Sequence, residues 1–142
     1  MREFHSLRVA AVERLCDDAV AVTFDLPGDL ADSYAFRPGQ SLTVRRPADA
    51  ADERRTYSIC ARAGASPRIG VREVPGGLVS SWLVHDLAPG DQVEVAPPSG
   101  TFTPDLDIPG RHVLIAAGSG ITPVLSIAAS LLERPDVQVT VL

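Results

Sequence analysis

Apolar and polar residues alternate with a period of two through most of the first hundred positions. Val20, Val22, Phe24 and Leu26 alternate with Ala21, Thr23 and Asp25, the pattern of a half-buried strand. Leu7 and Val9 open a similar run. Leu42 and Val44 alternate with Thr43 and Arg45. Tyr57 and Ile59 alternate with Thr56, Ser58 and Cys60. Ile69 and Val71 alternate with Gly70 and Arg72, and Val93 and Val95 flank Glu94. Turn signals separate the runs: Pro27-Gly28, Pro38-Gly39, Gly64 to Pro67, Pro75-Gly76-Gly77 and Pro89-Gly90-Asp91. Six short strands punctuated in this way predict a mainly β fold, an antiparallel barrel or sandwich. One helix is predicted among them over about residues 77 to 87, where Leu78, Val79, Trp82, Leu83 and Leu87 share one face.

The period changes after Pro109-Gly110. Val113 to Ala117 is an unbroken apolar run, predicting a strand buried on both faces. Gly118-Ser119-Gly120 follows as a turn. Thr122 then reads as a helix N-cap, with Pro123 at the first helical position, where its missing N–H costs nothing. Val124, Leu125, Ile127, Ala128, Leu131 and Leu132 give that helix a broad apolar face, and Val137 to Leu142 reads as a second strand. The last 34 residues are thus one β-α-β unit, the opening of a doubly wound sheet.

Composition narrows the classes. The 142 residues include 13 Lys+Arg and 18 Asp+Glu, a net charge of −5, which argues against nucleic acid or an anionic membrane as partner. The 45% apolar content suits a folded domain. Two cysteines, Cys16 and Cys60, are too few for a disulfide framework or a four-thiolate iron–sulfur cluster, so no such cluster is expected on this chain. Both are read as small apolar fillers. Met1-Arg2-Glu3-Phe4-His5 lacks an apolar signal region. Residues 113–132 carry no charge over the length of a membrane span, but Gly118, Gly120, Pro123 and interspersed Ser and Thr favour the strand–turn–helix reading. His5, His85 and His112 have no metal-ligand spacing, so no metal is expected.

Three segments carry candidate chemistry. Gly118-Ser119-Gly120 at a helix start reads either as a structural β-α turn or as a phosphate cradle of free amides and helix dipole. Arg54-Arg55-Thr56-Tyr57-Ser58 reads either as an edge strand or as a ligand strand. In the second case an arginine holds phosphate, a phenol ring covers a planar ligand, and a serine donates to a ring nitrogen. Pro75-Gly76-Gly77-Leu78-Val79-Ser80 reads either as an ordinary turn or as a second phosphate site.

In this order the three segments resemble the ferredoxin–NADP reductase superfamily. Arg55-Thr56-Tyr57-Ser58 matches its R-x-Y-S flavin motif, and Phe36-Arg37-Pro38-Gly39-Gln40 is similar to its F-x-P-G-Q turn. Gly77-Leu78-Val79-Ser80 is similar to its G-x-x-S loop, and Gly118-Ser119-Gly120-Ile121-Thr122-Pro123 matches its G-x-G-x-T-P loop. Within it, Phe4-His5-Ser6-Leu7, Val22 to Pro27, Arg55 to Cys60 and Val74-Pro75-Gly76-Gly77 resemble reductase subunits of phenylacetyl-CoA epoxygenase (ring 1,2-epoxidase) systems.

The resemblance implies a flavin-binding barrel over residues 1–108 and an incomplete NAD(P)-binding α/β domain over 109–142. It implies FAD in preference to FMN, with NAD(P)H as reductant. Arg55 would pair with the flavin phosphates, Tyr57 would lie against the isoalloxazine, and Ser58 would hydrogen-bond near its N5. Tyr57 and Ser58 are therefore the expected catalytic pair. Gly77, Leu78, Val79 and Ser80 would hold the pyrophosphate, and Arg72 joins the cofactor-binding set. Gly118, Gly120 and Thr122 would face the nicotinamide nucleotide. The implied activity is hydride transfer from NAD(P)H to FAD, with electrons passed to an iron–sulfur or ferredoxin-type acceptor and an oxygenase, in phenylacetate degradation. The alternative is a flavin-binding barrel without turnover, because the nucleotide domain stops at Leu142. A cytoplasmic protein without a membrane segment is expected, whose half-built sheet either self-associates or leaves the last thirty-odd residues mobile.

Overall fold

The computed structural model describes residues 3–46 and 52–142. Met1 and Arg2, on which the reading of the N-terminus partly rests, lie outside them. All six alternating runs form strands: β1 (His5–Cys16), β2 (Ala19–Asp25), β3 (Ser41–Arg45), β4 (Arg54–Ser58), β5 (Arg68–Arg72) and β6 (Gln92–Val95). They make one sheet in the order β4-β3-β6-β1-β2-β5, and every pairing is antiparallel. The two end strands meet through a bridge between Ile59 and Ile69, with the Cys60 N–H donating to the Arg68 carbonyl at 2.8 Å. The sheet therefore closes into a barrel rather than folding into a sandwich, and closure covers its edges.

The inward residues are those the alternation selects. Leu7, Val9, Phe24, Leu42, Ile69 and Val95 are fully enclosed in one core. Tyr34 joins them with its hydroxyl donating to the Val95 carbonyl at 2.6 Å, and burial pushes its phenol up to about 12. The helix between β5 and β6 begins as α1 (Leu78–Ser81) and continues as a π-helical turn, Trp82–Asp86. The Leu87 N–H reaches the Trp82 carbonyl, five residues back. Val84 packs inward on that wider turn, whereas Leu78, expected on the apolar face, is 60% exposed in the turn before it.

Beyond the barrel, β7 (Gly110–Leu114) and β8 (Val137–Val141) pair in parallel across the crossover helix α2 (Ile121–Leu131). The expectation of a strand buried on both faces is corrected here. Leu114 packs with Ile127, Leu131 and Val137 beneath α2, but Val113 is 54% and Ile115 77% exposed. One helix covers only one face of a two-stranded sheet. The reading of Thr122 as N-cap is also corrected. A 3-10 turn, Gly118–Gly120, leads into α2, Gly120 takes the cap position, and Thr122 Oγ1 donates to the Ser119 carbonyl at 2.9 Å. Pro123 still falls in the first turn, where no N–H is required.

The two parts are in direct contact. Ser126 Oγ on α2 donates to the Ala61 carbonyl at 2.5 Å, and Ser130 Oγ accepts from the Ala63 N–H at 2.9 Å. The turn carrying Gly39 lies against the chain that leads from barrel to sheet, hydrogen-bonded there through Gln40 to the Gly100 carbonyl.

Candidate functional site

The barrel's closure is also where it opens. Just past the end of β4, Ile59 bridges to Ile69 of β5, and no ladder pairs the two strands beyond it among the described residues. Thr56, Tyr57 and Ser58 form one wall of the resulting cleft, and Gly70, Val71 and Arg72 form the other. The Gly118 to Thr122 turn borders it, and Leu15, Cys16 and Ala19 of the β1–β2 hairpin lie at its rim together with Glu73 to Pro75. The cleft volume is about 780 Å³, within the range of organic-ligand sites.

Close packing brings the turn to the cleft. A Cβ built on Gly70 would stand 2.9 Å from Thr122 Cγ2, so a side chain there would force the Thr122 methyl or the start of α2 to shift. A glycine inside a strand pattern is the sequence signal for such an approach. It marks a cleft residue absent from the sequence-derived candidates.

Tyr57 is half-buried against the core, and desolvation raises its phenol against the opposing pull of Arg55, so it stays neutral. Among the described residues neither Tyr57 Oη nor Ser58 Oγ makes a hydrogen bond, which leaves both polar atoms available at the cleft wall. Arg72 is exposed at the rim, 3.6 Å from Asp18. The Cys16 thiol donating at 3.1 Å, with Arg72 nearby, holds the Asp18 carboxyl below its usual range. Cys16 is thus an exposed rim residue, not the apolar filler expected. Cys60 is half-buried; burial pushes its thiol up, and Sγ donates to the Arg68 carbonyl.

Some candidates lie outside the lining. Arg55 is half-exposed, its guanidinium 2.9 Å from Glu53 and donating to the Arg54 carbonyl at 2.6 Å. Gly77 is the N-cap of α1, just beyond Pro75 at the cleft end, and no side chain caps that helix. The Leu78, Val79 and Ser80 amides at its start are the ones a helix leaves without internal acceptors. The Val79 side chain is in the core, and Ser80 is buried with Oγ accepting from the Val74 N–H at 3.0 Å. Gly120 lies one residue behind the cleft wall, at the N-cap of α2, which also lacks a side-chain cap. Glu73, on the rim, accepts from Ser81 Oγ at 3.0 Å and contacts His85 Nε2 at 2.7 Å. Those bonds hold its carboxyl below the usual range and tie β5 to the helix.

The residues present fit a flavin nucleotide. A largely apolar cleft carries in its wall an aromatic ring and a serine hydroxyl without a hydrogen-bond partner among the described residues. Two glycine-led, uncapped helix starts adjoin it, with arginines beside it, the donor set for phosphates. Among the described residues no group of His, Cys, Asp or Glu could hold a metal, and no helix is long and apolar enough to cross a membrane.

Residues 6–103 match the oxidoreductase FAD-binding domain family. The chain is 41% identical over 146 residues to a subunit of the 1,2-phenylacetyl-CoA epoxidase of Escherichia coli K12, covering all of this chain and 41% of that protein. It is 39% identical over 131 residues to the ferredoxin reductase component of 3-ketosteroid-9-alpha-monooxygenase from Rhodococcus rhodochrous, covering 90% and 37%. Among solved structures it superposes on phthalate dioxygenase reductase with a TM-score of 0.80 and 30% identity, covering 97% of this chain and 42% of the other. The chain spans about two-fifths of the length of these relatives. Fold, cleft and sequence agree, and the chain belongs to the oxidoreductase FAD-binding domain family, with a ferredoxin reductase-like barrel.

Proposed function

We propose that this chain binds FAD in the β4–β5 cleft and is the flavin-carrying part of an NAD(P)H-dependent electron-transfer reductase. Residues 1–108 form the FAD-binding barrel, and residues 109–142 belong to the NAD(P)-binding domain. The observation that carries this reading is the meeting of Tyr57 and Ser58 with the Gly118 to Thr122 turn in one cleft. A planar redox cofactor and a nucleotide-binding helix start would there share a wall.

When bound, FAD supplies the redox chemistry, accepting a hydride from the dihydronicotinamide and releasing electrons singly. The chain's residues do the holding and orienting. Tyr57 presents a neutral aromatic face to a flat ring system. Ser58 Oγ is free to donate to a ring nitrogen, and with Tyr57 it forms the catalytic pair. Arg55, the Gly77 turn and the amides of Leu78, Val79 and Ser80 bind the diphosphate, while the Ser80 hydroxyl shapes that loop through Val74. Arg72 adds positive charge at the rim. Gly118, Gly120 and Thr122 face the nicotinamide nucleotide, which enters from the α2 side. The match to the FAD-binding domain family favours FAD over FMN.

Downstream, the electrons pass through an iron–sulfur or ferredoxin-type acceptor to an oxygenase. The 41% identity to the epoxidase component supports a role in phenylacetate catabolism. A nicotinamide reductant fits a cytoplasmic protein.

Titration of the purified chain with FAD is expected to yield a bound-flavin visible spectrum, with FMN binding more weakly. Anaerobic NADH or NADPH is expected to bleach it. If no flavin binds, the reading fails; flavin that binds and never bleaches assigns a binding module instead.

The uncovered face of the β7–β8 sheet and the outer side of α2 expose Val113, Ile115, Leu125 and Leu132. At tens of micromolar (roughly the range where apolar patches associate) this chain is expected to elute from size exclusion above its monomer mass. A monomer whose β8 amides are well protected from exchange would contradict that.

A further inference from the structure

Thr122, Ser126 and Ser130 lie at i, i+4 and i+8 on α2, so they form one stripe along the helix. All three meet the barrel. Thr122 Cγ2 abuts the space that Gly70 leaves on β5. Ser126 is fully buried and donates to the Ala61 carbonyl at 2.5 Å. Ser130 is 7% exposed, accepts from the Ala63 N–H at 2.9 Å, and donates to the Ser126 carbonyl at 2.7 Å. No other side chain of α2 hydrogen-bonds to the barrel among the described residues.

Apolar packing is non-directional and lets a helix slide or roll on its neighbour. Hydrogen bonds have a fixed length and direction. Two of them, one turn apart and to the same short segment Ala61–Ala63, fix both the axial height and the roll of α2. What they hold in place is one turn further on: Thr122 and the Gly118–Gly120 turn at the edge of the cleft, across from Tyr57 and Ser58. A hydroxyl pair costs a buried interface more than alanine would if it only filled space, because each buried polar group must be matched. Both here are matched across the seam.

We propose that Ser126 and Ser130 are positioning residues for hydride transfer: through Ala61 and Ala63 they set where the nicotinamide turn stands relative to the flavin wall. The inference rests on the flavin and nicotinamide reading above. The step concerned moves a hydride, with its two electrons, from C4 of a dihydronicotinamide to the flavin. The donor is left as the nicotinamide cation and the flavin is two-electron reduced. Neither serine touches either partner.

The test compares Ser126→Ala, Ser130→Ala and Ser130→Thr, the last keeping the hydroxyl, with the unaltered chain. In the flavin-free chain, amide hydrogen exchange at Ile121 and Thr122 is expected to accelerate about tenfold in the alanine variants, while the β1, β2 and β6 amides keep their protection. In the FAD-loaded chain, anaerobic bleaching by NADH, and by 1-benzyl-1,4-dihydronicotinamide as a donor needing no adenylate site, is expected to lose tenfold or more in its limiting single-turnover rate. The donor concentration at half that rate and the FAD affinity should stay within twofold, and Ser130→Thr should recover most of the rate. Unchanged exchange and limiting rate overturn the proposal, as does a uniform loss of protection through the barrel, which would make the serines merely stabilising. An unaltered chain that binds no FAD overturns the flavin reading itself, and one that binds FAD but is bleached by neither donor overturns the reductase reading; either result takes the proposal with it.

Discussion

Replacing Arg55 by alanine is expected to weaken FAD binding by about 10- to 100-fold, the worth of one charge-assisted hydrogen bond of roughly 1.5–3 kcal/mol. In the flavin-free chain the guanidinium is engaged by Glu53 at 2.9 Å and by the Arg54 carbonyl. Both groups are substantially exposed, and an exposed ion pair of this kind contributes only about 0–1 kcal/mol. A diphosphate offers more charge and a matching pair of acceptors, so it wins that competition. Two further variants sharpen the expectation. Glu53→Gln removes the competitor and should tighten FAD binding a few-fold. Arg55→Lys keeps the charge but loses the planar fork, and should fall between alanine and the native residue. Fluorescence titration with FAD reads all three. Affinities within twofold of one another would remove Arg55 from the site.

Gly39→Ala is expected to be the most damaging single substitution to the fold, at about 2–5 kcal/mol, combining left-handed backbone strain with overpacking. Gly39 has φ +96°, and a Cβ there would sit 1.7 Å from the Phe102 carbonyl oxygen and 3.5 Å from Ile127 Cδ1. The carbonyl is backbone, so it has no rotamer to yield. The turn would have to move off the connecting chain, whereas Ile127 on α2 would be in ordinary van der Waals contact. Gly28 is the control: nothing lies within 4 Å of its Cβ position and its φ is not left-handed. Gly28→Ala should therefore be neutral or stabilising by about 0.4–1 kcal/mol. Urea denaturation of the two variants measures the contrast. Equal midpoints would mean that the close approach at Gly39 does not exist in solution.

Much of the site was legible in the residues. Tyr57, Ser58, Gly118 and Thr122 were named from spacing and resemblance, and they line one cleft with Arg72. The same spacing misjudged details that depend on where an atom's partner is. Leu78 reads as part of an apolar helix face, yet it is 60% exposed. Cys16 reads as filler because a lone cysteine usually is, yet it ends β1 at the cleft rim. Ser126 and Ser130 read only as interruptions of an apolar stretch, and they form the seam with the barrel.

The alternation of Val20 to Leu26 or Val93 to Val95 determined the strands and their inward faces by itself. Which face of a strand is buried is written in neighbouring residues, and a period of two leaves little choice. The glycine and proline punctuation likewise determined the turns, and the change of period after Pro109-Gly110 determined the β-α-β unit. Only the tertiary structure decided that the barrel closes through the bridge between Ile59 and Ile69. It alone decided that Gly70 admits Thr122, that Gly39 lies under Phe102, and that α2 is pinned at Ala61 and Ala63. These are contacts between residues far apart in the chain. They depend on how the barrel's closure and the packing of α2 resolve together, which no local pattern encodes.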